Sequence, residues 1–69
     1  MPTVSDIKSL EGAQVAIRLT PAAGGDALDG RLVGTLESAD GLVVFIEPST
    51  QPGRRLSYNY QHIETIEPR

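Results

Sequence analysis

The residues with most chemistry to offer sit close together near the end of the chain. Tyr60 and His62 bracket Gln61 and follow Asn59, so an aromatic ring, an imidazole and two amides fall within four positions. Such a set suits stacking on a planar group and hydrogen bonding to its edge. A tyrosine pair, Tyr58 and Tyr60, beside a tight turn serves packing at an interface equally well. Acid–base catalysis fits poorly: His62 is the only imidazole of the chain, and Glu64 and Glu67 are the carboxylates of an ordinary solvated strand end. We therefore expect a non-enzymatic protein with no catalytic residue. Cysteine is absent, which removes disulfides and thiolate ligands, and a zinc site built on one imidazole would need a carboxylate-rich set. No metal and no cofactor are expected.

Two further groups carry potential. Arg54 and Arg55 follow Pro52 and Gly53 and form either a solvated turn or a cationic contact for phosphates. Asp40, Gly41 and Leu42 lie between two apolar segments, where the Asp40 carboxylate can bond backbone amides of its own turn without any ligand. Asp-Gly in that setting is a strong hairpin signal, because a tight hairpin turn requires positive φ.

The chain has 69 residues, six Lys and Arg against nine Asp and Glu, and a formal net charge of −3. That balance counts against broad, non-specific binding to nucleic acid, which rests on neutralising phosphates, but leaves room for a local basic patch. The absence of cysteine, of a signal-peptide core and of a membrane-length apolar run leads us to expect a soluble, cytoplasmic protein without a membrane partner. At this length one small domain, residues 1–69, is marginally stable alone, and with disulfides and metal excluded, oligomerisation is the remaining reinforcement.

The elements that position these residues follow from periodicity. Thr3 and Asp6 stand in capping-box spacing before Val4, Ile7 and Leu10, and Gly12 follows, which predicts a short amphipathic helix over about 3–11. Its apolar face must pack on something. Strands are expected at about 13–20, 28–38, 42–47, 54–60 and 63–67. In the first, Val15, Ile17 and Leu19 share a face; in the second, Leu28, Leu32 and Leu36 point inward beside Gly30 and Gly34. In the third, Leu42, Val44 and Ile46 form one face and Val43 and Phe45 the other, so both faces should be covered. The 22–27 segment reads as a flexible loop and 60–62 as a tight turn. One helix followed by five short strands predicts a mostly β fold, a strongly bent antiparallel small barrel of SH3-like or Sm-like type, with its terminal strands as edges.

Two segments carry a family resemblance. Gly34, Leu36 and Asp40, followed by the aliphatic run to Ile46, resemble the first Sm motif, especially its bacterial Hfq-like form. Residues 58–68 resemble the second, with Ile63, Thr65, Ile66 and Pro68 matching the closing pattern of Hfq-like chains. The resemblance spans nearly the whole chain, with a longer connection at 20–27. It implies a homo-oligomeric ring of five to eight copies, in which the fourth strand of one subunit pairs with the fifth of the next. It also implies single-stranded RNA as ligand, held near the pore by Asp40, Gly41 and Leu42 and by Asn59, Tyr60, Gln61 and His62; in such a ring Arg54 and Arg55, repeated on every copy, would be candidates for a cationic rim. The family's usual lysine in the second loop and aromatic after the aspartate are missing here. Their loss removes a phosphate contact and a stacking platform worth about 1–3 kcal/mol per base. The alternatives are a structural or adaptor ring using Val43 and Phe45 for protein contacts, and a monomeric SH3-like module.

Overall fold

The computed structural model describes residues 2–39 and 41–69. The chain begins with helix α1 (Val4–Ser9), whose capping box is complete: the Thr3 hydroxyl accepts from the Asp6 amide and the Asp6 carboxylate accepts from the Thr3 amide. Five strands follow, β1 (Gln14–Leu19), β2 (Ala27–Ser38), β3 (Gly41–Pro48), β4 (Leu56–Asn59) and β5 (Ile63–Pro68), with single 3-10 turns at Pro21–Ala23 and Tyr60–His62. The helix is shorter than the expected 3–11, because its last turn gives way at Leu10 to a turn that ends on Gly12 at φ 83°. The 22–27 segment is more ordered than a flexible loop. Pro21 starts its 3-10 turn and Gly24, at φ 106°, ends it.

All strand pairs are antiparallel, and the sheet order is β4-β3-β2-β1-β5. The strands do not close into a barrel: β4 and β5 do not pair with each other and remain the two edges. Inner-face residues from β1, β2, β3 and β5 nevertheless form one cluster, Val15, Ile17, Leu19, Leu32, Leu42, Val44, Ile46 and Ile63, joined by Ile7 of the helix. A flat sheet under a helix of six residues could not bury so wide a set, so the sheet must curl over its own inner face while Ile7 fills the centre. Lys8 pairs with Glu37, and the Thr35 hydroxyl donates to Glu11, which together fix the helix over the far end of β2.

Two register shifts shape the curl, one in β2 between Leu32 and Gly34 and one between Arg18 and Leu19 against β5. The first corrects an expectation. Leu32 pairs with Ile46 and Gly34 with Phe45, so Val33 is an extra residue and every side chain beyond it changes face. Leu32 is fully buried as expected, whereas Leu36 is turned outward and is 59% exposed. The hairpin also differs by one position: Ser38 pairs with Gly41, so Gly41 opens β3 instead of belonging to the turn. β4 is shorter than the expected 54–60 because pairing with β3 begins only at Leu56 opposite Ile46.

Candidate functional site

The end of β4 and the start of β3 meet at Gly41. Gly41 has φ 127°, and a Cβ built there would lie 2.9 Å from Cε1 of Tyr60 and 3.9 Å from Oδ1 of Asn59. The absence of a side chain at Gly41 is therefore what lets the Tyr60 ring come so close to the start of β3. Asn59 is held by the same turn: its side-chain oxygen accepts from the Gln61 amide at 3.0 Å and caps the Tyr60–His62 turn. The turn is tied to the end of β1 by the Thr20 amide, which donates to the His62 carbonyl at 2.9 Å.

The structure thus brings Gly41, Asn59, Tyr60, Gln61 and His62 to one end of the sheet. Gln61 and His62 are exposed, and Asn59 and Tyr60 are half-buried. Leu42, expected to contact RNA with Asp40 and Gly41, does not reach the surface: alternation along β3 turns it into the core, where it is 1% exposed. Asp40, the remaining member of that loop, lies outside the described residues. The surface this end offers is a half-buried aromatic ring beside an exposed imidazole and an exposed amide, a set able to stack and hydrogen-bond but without a fixed cation.

Arg54 and Arg55 do not join it. They precede β4 at its other end, where Leu56 meets Ile46, and five residues of extended chain put Arg55 roughly 16 Å from Tyr60. Both are exposed. The Arg54 guanidinium donates to Gln51 at 2.9 Å, and that of Arg55 lies 6.0 Å from the centre of the Phe45 ring, at the outer limit of a cation–π contact. The motif read over residues 58–68 could not have placed these arginines, since it begins only after them.

A depression of about 370 Å³ at the same far end, lined by Ala27, Leu28, Asp29, Pro48, Ser49 and Thr50, was not anticipated from the sequence. Its carboxylate, Asp29, is engaged with Arg69, so it lacks a free charged group. It is formed where the Ser49 amide folds back onto the Asp29 carbonyl at 3.0 Å, a tertiary contact with no sequence signal. Among the described residues no group of three or more His, Asp or Glu is placed to hold a metal ion, and no helix is long and apolar enough to cross a membrane. Comparisons with protein-family models, curated proteins and solved structures return no match to this chain.

Proposed function

We propose that the chain is a subunit of an Sm-like homo-oligomeric ring that binds single-stranded RNA weakly through the Tyr60–His62 turn. The observation that carries this reading is the sheet order. The two strands left as edges are β4 and β5, the pair through which Sm-like subunits join. Open edges present rows of unpaired N–H and C=O groups that a second copy can satisfy. Leu56 and Tyr58 on β4 and Ile66 on β5 are only half-buried, so edge pairing would also add apolar burial that so short a chain needs. A curled sheet with two open edges is a barrel completed between subunits, which accounts for an inner face already dry in one copy.

RNA contact is supported by Tyr60, half-buried against Gly41, with Gln61 and His62 exposed beside it. Phosphate contacts would have to come from Arg54 and Arg55, displaced along the strand, and a chain with net charge −3 offers little general attraction. Binding is therefore weak and selective for bases. A second reading, an adaptor ring contacting proteins, is favoured by one observation: Leu36 faces outward opposite Val43, next to Phe45, giving β2 and β3 an apolar outer stripe.

Fluorescence anisotropy with labelled oligo-A and oligo-U at low salt tests the RNA reading. Binding weakened by Tyr60→Ala is expected; no binding of either oligomer at about tens of micromolar would leave the adaptor reading, since weak single-strand binders still stack at that concentration. Light scattering that found only monomer would remove the ring from both.

A further inference from the structure

We infer that the two open edges form a head-to-tail seam in one register: antiparallel, with Arg55 of one copy opposite Glu67 of the next, Leu56 opposite Ile66 and Ser57 opposite Thr65. The inference rests on the assembly proposed above and adds which residues meet in it.

Side-chain direction limits the choices. Residues paired across a sheet share a face. Leu56 pairs with buried Ile46 and Tyr58 with buried Val44, so both are on the inner face; Ser57 pairs with Phe45 on the outer face. Arg55, next to Leu56 and over the Phe45 ring, is also outer. On β5, Ile66 pairs with buried Ile17 and is inner, whereas Thr65 and Glu67 pair with Arg18 and Ala16 and are outer. Matching inner to inner therefore requires Leu56 to meet Ile66 or a position two removed.

Each shift by two fails. Sliding one way sets Leu56 opposite Pro68, which has no amide to donate, and Arg55 opposite Arg69, a like charge. Sliding the other way sets Ser57 opposite Ile63, and the register shift between Arg18 and Leu19 has already placed Ile63 on the inner face, where it is fully buried. A parallel seam that keeps Leu56 on Ile66 would put Arg55 against Thr65 and Glu67 against Ser57, losing the ion pair. The register with Leu56 on Pro68 also keeps apolar contact, with Tyr58 meeting Ile66, but only the antiparallel register with Leu56 on Ile66 sets cation against anion, and it leaves Tyr58 beside Glu64, the extra residue of β5.

Charge supports the same partner. The approach to β4 carries Arg54 and Arg55 and no acid, while β5 carries Glu64 and Glu67 and no base. Arg69, just beyond β5, is engaged with Asp29, and among the described residues Arg55, Glu64 and Glu67 have no ion-pair partner in their own chain. An edge of one sign facing an edge of the other on every copy makes the contact heterologous, so each copy binds two neighbours in a fixed sense.

The absence of native cysteine makes the register directly readable. A double variant, Ser57→Cys with Thr65→Cys, places its two thiols on opposite edges of one sheet, and the proposed seam brings them to the Cα separation of paired strands, about 4.5–5.5 Å, which a disulfide spans. Mild oxidation of the reduced, assembled protein should give a ladder of covalent oligomers on a denaturing gel. The ladder should form at least about tenfold faster than for Ser57→Cys with Glu67→Cys, whose thiols are offset by two residues. Equal or faster crosslinking of the offset pair overturns the register while the ring stands. An oligomeric unsubstituted chain with neither pair crosslinking overturns the seam itself. If the unsubstituted chain is monomeric by light scattering, the proposed assembly fails, and this inference with it.

Discussion

A single hydrogen atom in place of a methyl group lets β2 lie against β3 at Gly30. A Cβ built there would come within 2.4 Å of the Glu47 carbonyl oxygen and 3.0 Å of its carbon, and that backbone cannot retreat without breaking the pairing of Gly30 with Pro48. At Gly34, four residues on in the same strand, a Cβ meets nothing within 4 Å. The sequence suggests the same inward role for both, and only the extra residue at Val33, which reverses the faces, separates them. Gly30→Ala should therefore cost roughly 1–3 kcal/mol through overpacking, whereas Gly34→Ala should be neutral or gain about 0.4–1 kcal/mol by restricting the unfolded chain. Urea unfolding of the two variants checks this, and equal losses would show that the bulge does not turn Gly34 outward. The candidate site has the same mixture at residue scale. Its turn, with Asn59, Tyr60, Gln61 and His62, was readable from residue types, but the resting of Tyr60 on Gly41 depends on two distant segments meeting. Nothing local in the sequence shows that contact.

Among the elements, the helix was the most readable, because its capping box and its Val4, Ile7, Leu10 spacing are local, and both Thr3–Asp6 bonds and the burial of Ile7 follow from them. Strand identities were readable from alternation. Their ends were not, since β4 starts where β3 offers a partner rather than where its own pattern begins. No pattern discloses the exposed ion pair of Lys8 with Glu37, which adds to the burial of Ile7 in fixing the helix over β2. The hydrogen bond and positive charge of Lys8 hold the Glu37 carboxyl below its usual range, and the same contact raises the Lys8 ammonium above its own. The stabilising contribution of a lowered carboxyl is present above its unfolded value and is lost as pH falls through the folded one; that of a raised ammonium is present below its unfolded value and is lost as pH rises through the folded one. Lys8→Met should therefore lower the urea midpoint slightly near neutral pH, the pair being solvent-exposed. The difference from the unsubstituted chain should vanish at pH values below the carboxylate range. A difference that persisted in acid would assign the effect to packing of the lysine stem instead.

For the whole molecule, opposite charges on opposite edges would let the composition of the proposed ring be programmed. Arg55→Glu puts carboxylates on both edges of one variant, and Glu67→Arg puts cations on both edges of another, so each variant alone faces like charge across every seam. An exposed ion pair is worth about 0.2–1 kcal/mol, a small term for one contact but one repeated at each seam of a closed ring. Each variant alone should thus assemble only at higher concentration than the unsubstituted chain, and the double variant carrying both changes should recover, since its charges are exchanged rather than removed. An equimolar mixture of the two single variants is the more informative case. Every favourable seam then joins one variant to the other, so the two must alternate around the ring, and alternation closes without a mismatch only when the subunit number is even. Native mass spectrometry of the mixture should show equal numbers of both variants if the ring is even. In an odd ring one like-charged seam is unavoidable, giving compositions that differ by one copy and a weaker assembly. A statistical spread of compositions, with each single variant assembling as well as the unsubstituted chain, would mean that Arg55 and Glu67 do not meet.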